Sequence, residues 1–411
     1  MKIFIADYLP LANKGEEEIL RGIETLFKNE SSDSITFSVF GDVDEIQQIG
    51  NVTVYPKNIC YPIYKYSGKI KTLLDILKSL LDGIGIYQYK RNILNDDTLI
   101  NDLKNSDKIL IGHDGFFNLR CAQLGNFLYK KGLHYGILGA GFSKPGKKVL
   151  WAYNMVYKKC FDNADYVVLR ERTAFNYVKE ISKNKCIQIF PDPAFFCPSN
   201  DYNTKNVADV ISKYEIGKEG KLNVGMTICE DSISFSRAFM GTLDKVAEHR
   251  KFIAEIMSIM SEKYNCTFFF LPHCIKEGKG NDLLIAKDIK TRVGNTVDCK
   301  IIEEDMPVLD LKYLISRMDL MIGERTHSII NSIATTTPFV SLTCSADFRT
   351  HDIVGDGCGL PKQIFDLDNP NVCDLIEVID TTIKGKSELI GKLQVICNTH
   401  EEMKFKLQQI L

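Results

Sequence analysis

No uninterrupted apolar run approaches the ~18 residues that a membrane-spanning helix requires, so nothing in the sequence reads as a transmembrane segment. The 13 cysteines are odd in number and contain no C-x-x-C pair. That excludes a regular disulfide ladder and a spaced Cys/His zinc set, and no metal site is expected. Stretches such as Cys266-Thr267-Phe268-Phe269-Phe270 use cysteine as a small apolar residue, which suits a reducing compartment. The dinucleotide fingerprint G-x-G-x-x-G, the P-loop, the metalloprotease H-E-x-x-H and the nucleophile elbow G-x-S-x-G are all missing. Basic excess is missing too. The 51 Lys and Arg against 53 Asp and Glu give a formal net charge of -2, which argues against a nucleic-acid partner. Met1-Lys2-Ile3-Phe4-Ile5-Ala6-Asp7 reads as a first strand and is too short for a secretory signal, so the expected location is the cytoplasm.

What is present is alternation. Short apolar runs rich in β-branched and aromatic residues, from Lys2–Asp7 through Lys108–Ile111, Leu222–Ile228 and Cys266–Leu271 to Pro338–Leu342, are separated by stretches with helical spacing. Uniformly apolar strands alternating with helices indicate parallel sheets covered on both faces, hence an α/β fold. A length of 411 residues at ~100–200 per domain favours two domains. Prolines at Pro191, Pro193 and Pro198 and the polar run Ser199-Asn200-Asp201-Tyr202-Asn203 mark the break, giving Rossmann-like domains over 1–198 and 199–411. The stretch from Asn371 onward reads as helices. Residues 69–81 are amphipathic, with Lys65, Lys90 and Arg91 nearby. They suit either an anionic membrane surface or, more plainly, a helix covering the first sheet.

In doubly wound folds ligands bind beyond the carboxyl ends of strands, so strand ends bearing unusual polar residues are the candidates. Leu320-Met321-Ile322-Gly323 is followed by Glu324-Arg325-Thr326-His327-Ser328 and a helix running to about Thr335. A helix N-terminus supplies free N–H donors and partial positive charge. Arg325 adds a planar fork for carboxylate or phosphate, Thr326 and Ser328 add hydroxyls, and His327 handles protons near neutral pH. The plainer alternative is that Arg325 pairs with Glu324 or another acid and His327 only caps the helix. Four weaker sites follow. Tyr166-Val167-Val168-Leu169 runs into Arg170-Glu171-Arg172, an anion contact or a surface ion pair. Gly112-His113-Asp114-Gly115 offers an acid–base pair or a loop that hydrogen-bonds itself. Asn13-Lys14-Gly15-Glu16 offers Asn13 and Glu16 for sugar hydroxyls, or merely acids that favour a helix dipole. His273 ends the strand Phe268-Phe269-Phe270-Leu271, ahead of Gly280-Asn281-Asp282.

In this order the fragments resemble the polysaccharide pyruvyl transferase family. Asn13-Lys14-Gly15-Glu16-Glu17-Glu18-Ile19-Leu20 is similar to its N-x-G-D-E-x-I-L turn, and Asp107 to Gly115 takes the place of its triple-glycine segment. Gly139-Ala140-Gly141-Phe142-Ser143-Lys144-Pro145, Arg170-Glu171-Arg172-Thr173-Ala174 and Asp192-Pro193-Ala194-Phe195 follow. Arg325, His327, Ile330 and Pro338 match the R-[LT]-H-x-x-I signature with its later proline. The chain departs from the pattern at Glu16, Glu171, Ala174, His113 and Asp114, and Arg349 stands where a lysine is usual.

The resemblance implies two Rossmann-like domains in a glycosyltransferase B-type arrangement with a cleft between them, an N-terminal acceptor side and a C-terminal donor side. It implies transfer of the enolpyruvyl unit of phosphoenolpyruvate to a sugar of a cell-surface polysaccharide precursor, exopolysaccharide or capsule, forming a pyruvate ketal without an organic cofactor. Acceptors of the family are often lipid-linked, which would bring the protein to the inner face of the membrane. On this reading Arg325, Thr326, Ser328 and His327 grip the donor, Arg170 supplies an opposing cation, and His273, Arg349, Asn13, Glu16 and His113 contact substrate. His327 stabilises the departing phosphate or acts as general acid, with Glu171 or Asp114 as proton donor or base. A nucleotide-sugar glycosyltransferase and a non-catalytic glycan-binding module are the alternatives.

Overall fold

The computed structural model describes residues 1–28, 34–56, 73–74, 77, 81, 97–113, 117–142, 150–229, 244–275, 281–345 and 347–411. It forms two compact units, and neither is a single run of sequence. One comprises Met1–Leu11, Leu26–Asp192 and Phe405–Leu411; the other comprises Ala12–Thr25 and Pro193–Lys404. The first helix, Lys14–Phe27, therefore contributes most of its length to the second unit, and the last helix, Lys386–Gln408, ends in the first.

The sheet of the first unit contains β1 (Lys2–Tyr8), β2 (Thr36–Gly41), β3 (Gln47–Ile49), β4 (Val52–Pro56), β5 (Lys108–Ile111), β6 (Gly136–Ala140), β7 (Val167–Leu169) and β8 (Ile187–Ile189). Their order is β3-β4-β2-β1-β5-β6-β7-β8, parallel except for the antiparallel edge pair β3 and β4. β1 and β5 pair in register at Ile3–Lys108, Phe4–Ile109 and Ile5–Leu110, and the strand order reverses there. Ile3, Phe4 and Ile5 are fully buried because helices cover both faces of a parallel sheet. Beside the sheet, Phe142 meets Tyr157 at 4.7 Å and Tyr177 at 5.0 Å between ring centroids, while Phe117 meets Phe161 at 5.2 Å. Such aromatic clusters bury large areas and prefer the tilted and offset geometries seen here.

The second unit carries β9 (Leu222–Thr227), β10 (Cys266–Phe270), β11 (Cys299–Ile301), β12 (Leu320–Gly323), β13 (Phe339–Thr343) and β14 (Ile364–Asp366). They are all parallel, in the order β11-β10-β9-β12-β13-β14. The order reverses between β9 and β12, whose register runs from Leu320–Val224 to Gly323–Thr227. A reversal of this kind opens a crevice at the carboxyl ends of the two strands. Asparagine starts three of this unit's helices: Asn281 accepts from Leu283 N and Leu284 N, and Asn203 and Asn371 do the same for the helices that they precede.

Helix Lys14–Phe27 joins this unit through polar bonds as well as through the buried Ile19, Leu20 and Ile23. Glu18 accepts from Asn331 Nδ2 at 3.0 Å and lies 3.7 Å from Lys312 Nζ, and both charged side chains are fully buried. Lys312 also donates to Cys197 O at 2.7 Å. Loss of one partner of such a buried pair costs about 3–5 kcal/mol, so the helix is held specifically. Among the described residues no helix is long and apolar enough to cross a membrane. Leu73 and Leu77, the part of the amphipathic stretch with described side chains that stands out, are 67% and 52% exposed, and most of that stretch lies outside the described residues.

Candidate active site

The β9/β12 reversal and the start of helix Lys14–Phe27 bring seven of the sequence-predicted residues into one neighbourhood: Arg325, Thr326, His327, Ser328, His273, Asn13 and Glu16. Glu324 and Arg325 leave β12, and Arg325 occupies the N-cap position of helix Thr326–Ala334. Thr227 at the end of β9 shares a hydrogen with Ser328 at 2.6 Å, and Ser328 Oγ donates to Arg325 O at 2.7 Å. Ser328 is fully buried, so its hydroxyl fastens the turn. Thr326 faces outward from the turn and meets Thr350 hydroxyl to hydroxyl at 3.1 Å.

Arg325 pairs with an acid, and that acid is Asp282 rather than Glu324. Its Nη2 donates to Asp282 Oδ1 at 2.6 Å and its Nε to Oδ2 at 3.3 Å. Asp282 Oδ2 also accepts from the backbone N–H groups of His273 and Cys274, each at 3.0 Å. Burial pushes the Asp282 carboxyl up, while the Arg325 guanidinium and the two backbone donors hold it down. One carboxylate thus fixes the guanidinium and the β10 loop together, with the Arg325 side chain 15% exposed. Glu324 turns the other way. Its Oε1 meets His249 Nε2 at 2.6 Å and its Oε2 accepts from Cys229 N at 3.1 Å.

The start of helix Lys14–Phe27 completes this neighbourhood. Lys14 N donates to His273 O at 3.0 Å, and Asn13 bridges Cys274 in an isolated antiparallel pairing. Asn13 Oδ1 accepts from Gly15 N at 3.1 Å, which tightens the turn. Gly15 lies against the His327 ring: a Cβ at this position would sit 2.8 Å from His327 Cγ and closer still to Nδ1. Lys14 Nζ lies 2.6 Å from Asp305 and 3.7 Å from Glu17. The Glu17 carboxyl is raised by burial, with Lys14 opposing. Glu16 is buried, and its backbone N–H donates to Asn13 O at 3.1 Å.

His273 is 1% exposed. Its Nδ1 bonds Leu271 O at 2.9 Å, which makes Nδ1 the protonated nitrogen and Nε2 the bearer of a lone pair. Burial, reinforced by the positive charge of Arg325 and Lys14, drives its pKa down to about 4, against the bond to Leu271. The imidazole is therefore neutral at physiological pH.

The remaining candidates have partners of their own. Arg349 forms a two-point pair with Asp347, its Nε and Nη2 at 2.8 and 2.7 Å from the carboxylate. In the first unit Arg170 pairs with Asp192 and reaches Glu171 Oε1 at 3.4 Å, with all three side chains at 2% exposure or less. Glu171 accepts from Phe142 N at 3.2 Å, and a Cβ on Gly141 would stand 2.6 Å from its Cδ. This trio holds the chain after β6 and after β8 rather than presenting charge to solvent. His113 is buried 3.8 Å from Asp7, where β1 and β5 end. Asp114 lies outside the described residues. Sequence reading passed over Asp282, Lys14 and the His249–Glu324 pair. Asp282 and Lys14 stood inside fragments already singled out, but nothing local marks a residue as the partner of an arginine 43 positions away. Among the described residues no three His, Cys, Asp or Glu side chains are placed to hold a metal ion.

The family model described as polysaccharide pyruvyl transferase matches residues 13–345. No curated protein matches the chain. Solved structures match in fold at low identity. The S. aureus MnaA–UDP co-structure is 10% identical with a TM-score of 0.53, covering 96% of this chain and 90% of that one. The trehalose-6-phosphate synthase OtsA is 10% identical with a TM-score of 0.56, covering 100% and 97%. UDP-GlcNAc 2-epimerase from Neisseria meningitidis, bound to UDP-GlcNAc, is 11% identical with a TM-score of 0.55, covering 96% and 94%. These likenesses show the glycosyltransferase B-type fold, with its two Rossmann-like units.

Proposed function

Because the chain belongs to the polysaccharide pyruvyl transferase family, we propose that it transfers the enolpyruvyl unit of phosphoenolpyruvate to a sugar of a polysaccharide precursor, with the donor held in the second unit. The observation that carries this reading is the set Arg325, His327 and Lys14 gathered at the β9/β12 reversal, where helix Thr326–Ala334 begins. Phosphoenolpyruvate carries a carboxylate and a phosphate close together, and it needs more than one cation and several N–H donors. Arg325 presents the fork and the helix N-terminus the backbone donors. Lys14, whose Nζ also meets Asp305 at 2.6 Å, supplies a second cation from within the same unit.

In the reaction a proton adds to the methylene carbon of the donor and positive character develops at the adjacent carbon. A sugar hydroxyl attacks there, the bond to phosphate oxygen breaks, and a second hydroxyl closes the ketal. Of the two hydroxyl protons released, one balances the proton taken up by the new methyl group and the other leaves with the phosphate. His327 is the group that hands a proton to the departing phosphate. Exposed Leu73 and Leu77 support a membrane contact for the 69–81 segment, as a lipid-linked acceptor would require; flotation with anionic vesicles tests it.

Thermal shift against phosphoenolpyruvate, with UDP, UDP-sugars and CMP as controls, is the direct test. A rise with phosphoenolpyruvate that disappears in Arg325→Ala is expected. A rise with a uridine nucleotide alone would move the protein to nucleotide-sugar chemistry, and silence from every donor would leave a glycan-binding module.

A further inference from the structure

His273 has one nitrogen committed and one open. Nδ1–H is spent on Leu271 O, and Nε2 is buried with no hydrogen-bond partner among the described residues. Buried acceptors are nearly always satisfied, so one left open calls for an explanation such as a catalytic role or an ordered water. The neutral ring does not change role, because the tautomer is fixed by Leu271 and charging is opposed by burial first and then by Arg325 and Lys14. An open acceptor is an odd thing to build beside an anion site. At neutral pH the phosphate and carboxylate of phosphoenolpyruvate offer acceptors almost exclusively, since a phosphomonoester has its second pKa near ~6. A lone pair turned toward them repels. What satisfies Nε2 must bring a hydrogen, and in this reaction the hydroxyl groups of the receiving sugar bring it.

We propose that the Nε2 lone pair of His273 accepts a hydrogen bond from a hydroxyl of the acceptor sugar, and so positions that hydroxyl next to the donor held by Arg325 and His327. The inference rests on the pyruvyl-transfer reading. It assigns to the second unit a contact with the acceptor as well as with the donor. It also explains the fastening of the His273 loop, whose backbone N–H groups at His273 and Cys274 share one carboxylate with Arg325, so that acceptor contact and donor cation move together. A contact of this kind makes the site discriminate, because a sugar lacking the hydroxyl would leave the acceptor buried and unpaired.

The test is nitrogen-15 NMR on protein labelled at its histidines, with His273 assigned by comparison with His273→Asn. Asparagine places an N–H donor where Nδ1 stands, which preserves the bond to Leu271 O and removes the acceptor. In the free protein His273 Nε2 should resonate as an unprotonated ring nitrogen. It should stay there with phosphoenolpyruvate or inorganic phosphate alone, and move upfield when methyl glucoside, galactoside or mannoside is added with phosphoenolpyruvate. His273→Asn should weaken glycoside binding roughly tenfold, the value of one hydrogen bond, while the stabilisation by phosphoenolpyruvate is unchanged. A protonated Nε2 in the free protein, a shift with phosphate alone, or no response to any glycoside would each overturn the proposal; the last would mean a buried water only. If phosphoenolpyruvate fails to stabilise the protein while a glycoside still moves His273, the hydroxyl contact stands and pyruvyl transfer falls. The NMR readout is made on the native chain and holds even if the variant does not fold.

Discussion

Gly15→Ala places a methyl group against the side chain that the mechanism most depends on. The new Cβ would stand 2.8 Å from His327 Cγ, where uncrowded carbon contacts begin near ~3.5 Å. The ring, the helix start or both must give by several tenths of an ångström. Alanine is the better helix former by about 0.5–1 kcal/mol, whereas overpacking costs about 1–3 kcal/mol, so the net loss of stability is about 0–2.5 kcal/mol. For a unit of this size that is a fall in Tm of up to ~10 °C. The activity should suffer far more, since a displacement of about 1 Å at a reacting group costs on the order of a hundredfold in rate. The assay is phosphate release from phosphoenolpyruvate with acceptor, read beside Tm. Gly15→Ala should keep most of its stability and lose ten- to a hundredfold in kcat. A variant with wild-type kcat would show that His327 tolerates displacement, and it would remove His327 from proton transfer.

Arg325→Ala should leave the buried Asp282 carboxylate without its cation, at a cost on the order of 3 kcal/mol, whereas Asp282→Asn in the same background should recover part of that loss; urea denaturation of the two variants checks it. Glu171→Gln should destabilise the first unit by about 1–3 kcal/mol through its bonds to Arg170 and Phe142 N, and leave phosphoenolpyruvate stabilisation intact. A folded Glu171→Gln protein that binds donor but has no turnover would instead return Glu171 to acid–base chemistry. His273 and His400, the latter packed 4.4 Å from Phe195 between ring centroids, are both held down to about 4 from 6.5, so the unfolded chain takes up their protons first. Stability is full above pH 6.5 and falls towards pH 4 by about 3 kcal/mol for each histidine, and His400→Gln should flatten that slope in urea melts between pH 7.5 and 4.5.

The fold class was legible because buried parallel strands are apolar throughout, and runs such as Cys266–Phe270 and Phe339–Thr343 announce themselves. β3 and β14 were not. Gln47-Gln48-Ile49 is an exposed edge strand with nothing to bury, and Ile364-Phe365-Asp366 is only three residues long with its last side chain exposed. The strand ends were legible for the same reason as the strands: Arg325, His327 and His273 are polar residues abruptly following apolar ones. Their roles within the site were not, because a role depends on partners. Arg325 next to Glu324 in sequence reads as an ion pair, yet a backbone turning from strand to helix sends the two side chains to different neighbours, Asp282 and His249.

Helix Lys14–Phe27 carries the same lesson to the level of domains. It follows β1 directly, and sequence order gives no reason to separate the two. Its acids Glu16, Glu17 and Glu18 read as residues placed to favour a helix dipole, with Glu16 the one offered to a sugar. Instead, Glu18 is spent on Asn331 and Lys312, and Glu17 accepts from Val308 N at 3.4 Å. With the acids turned inward to dock the helix, what it leaves at the site is Asn13, Lys14 and a glycine small enough for His327. A glutamate-rich turn thus delivers a cation, and replacing Glu18 should cost donor binding even though Glu18 touches no substrate: Glu18→Gln, which keeps the acceptor for Asn331 and leaves Lys312 without its counter-charge, is expected to lower both stability and the phosphoenolpyruvate thermal shift. An undiminished shift in that variant would mean that Lys14 is placed by the loop at His273 alone.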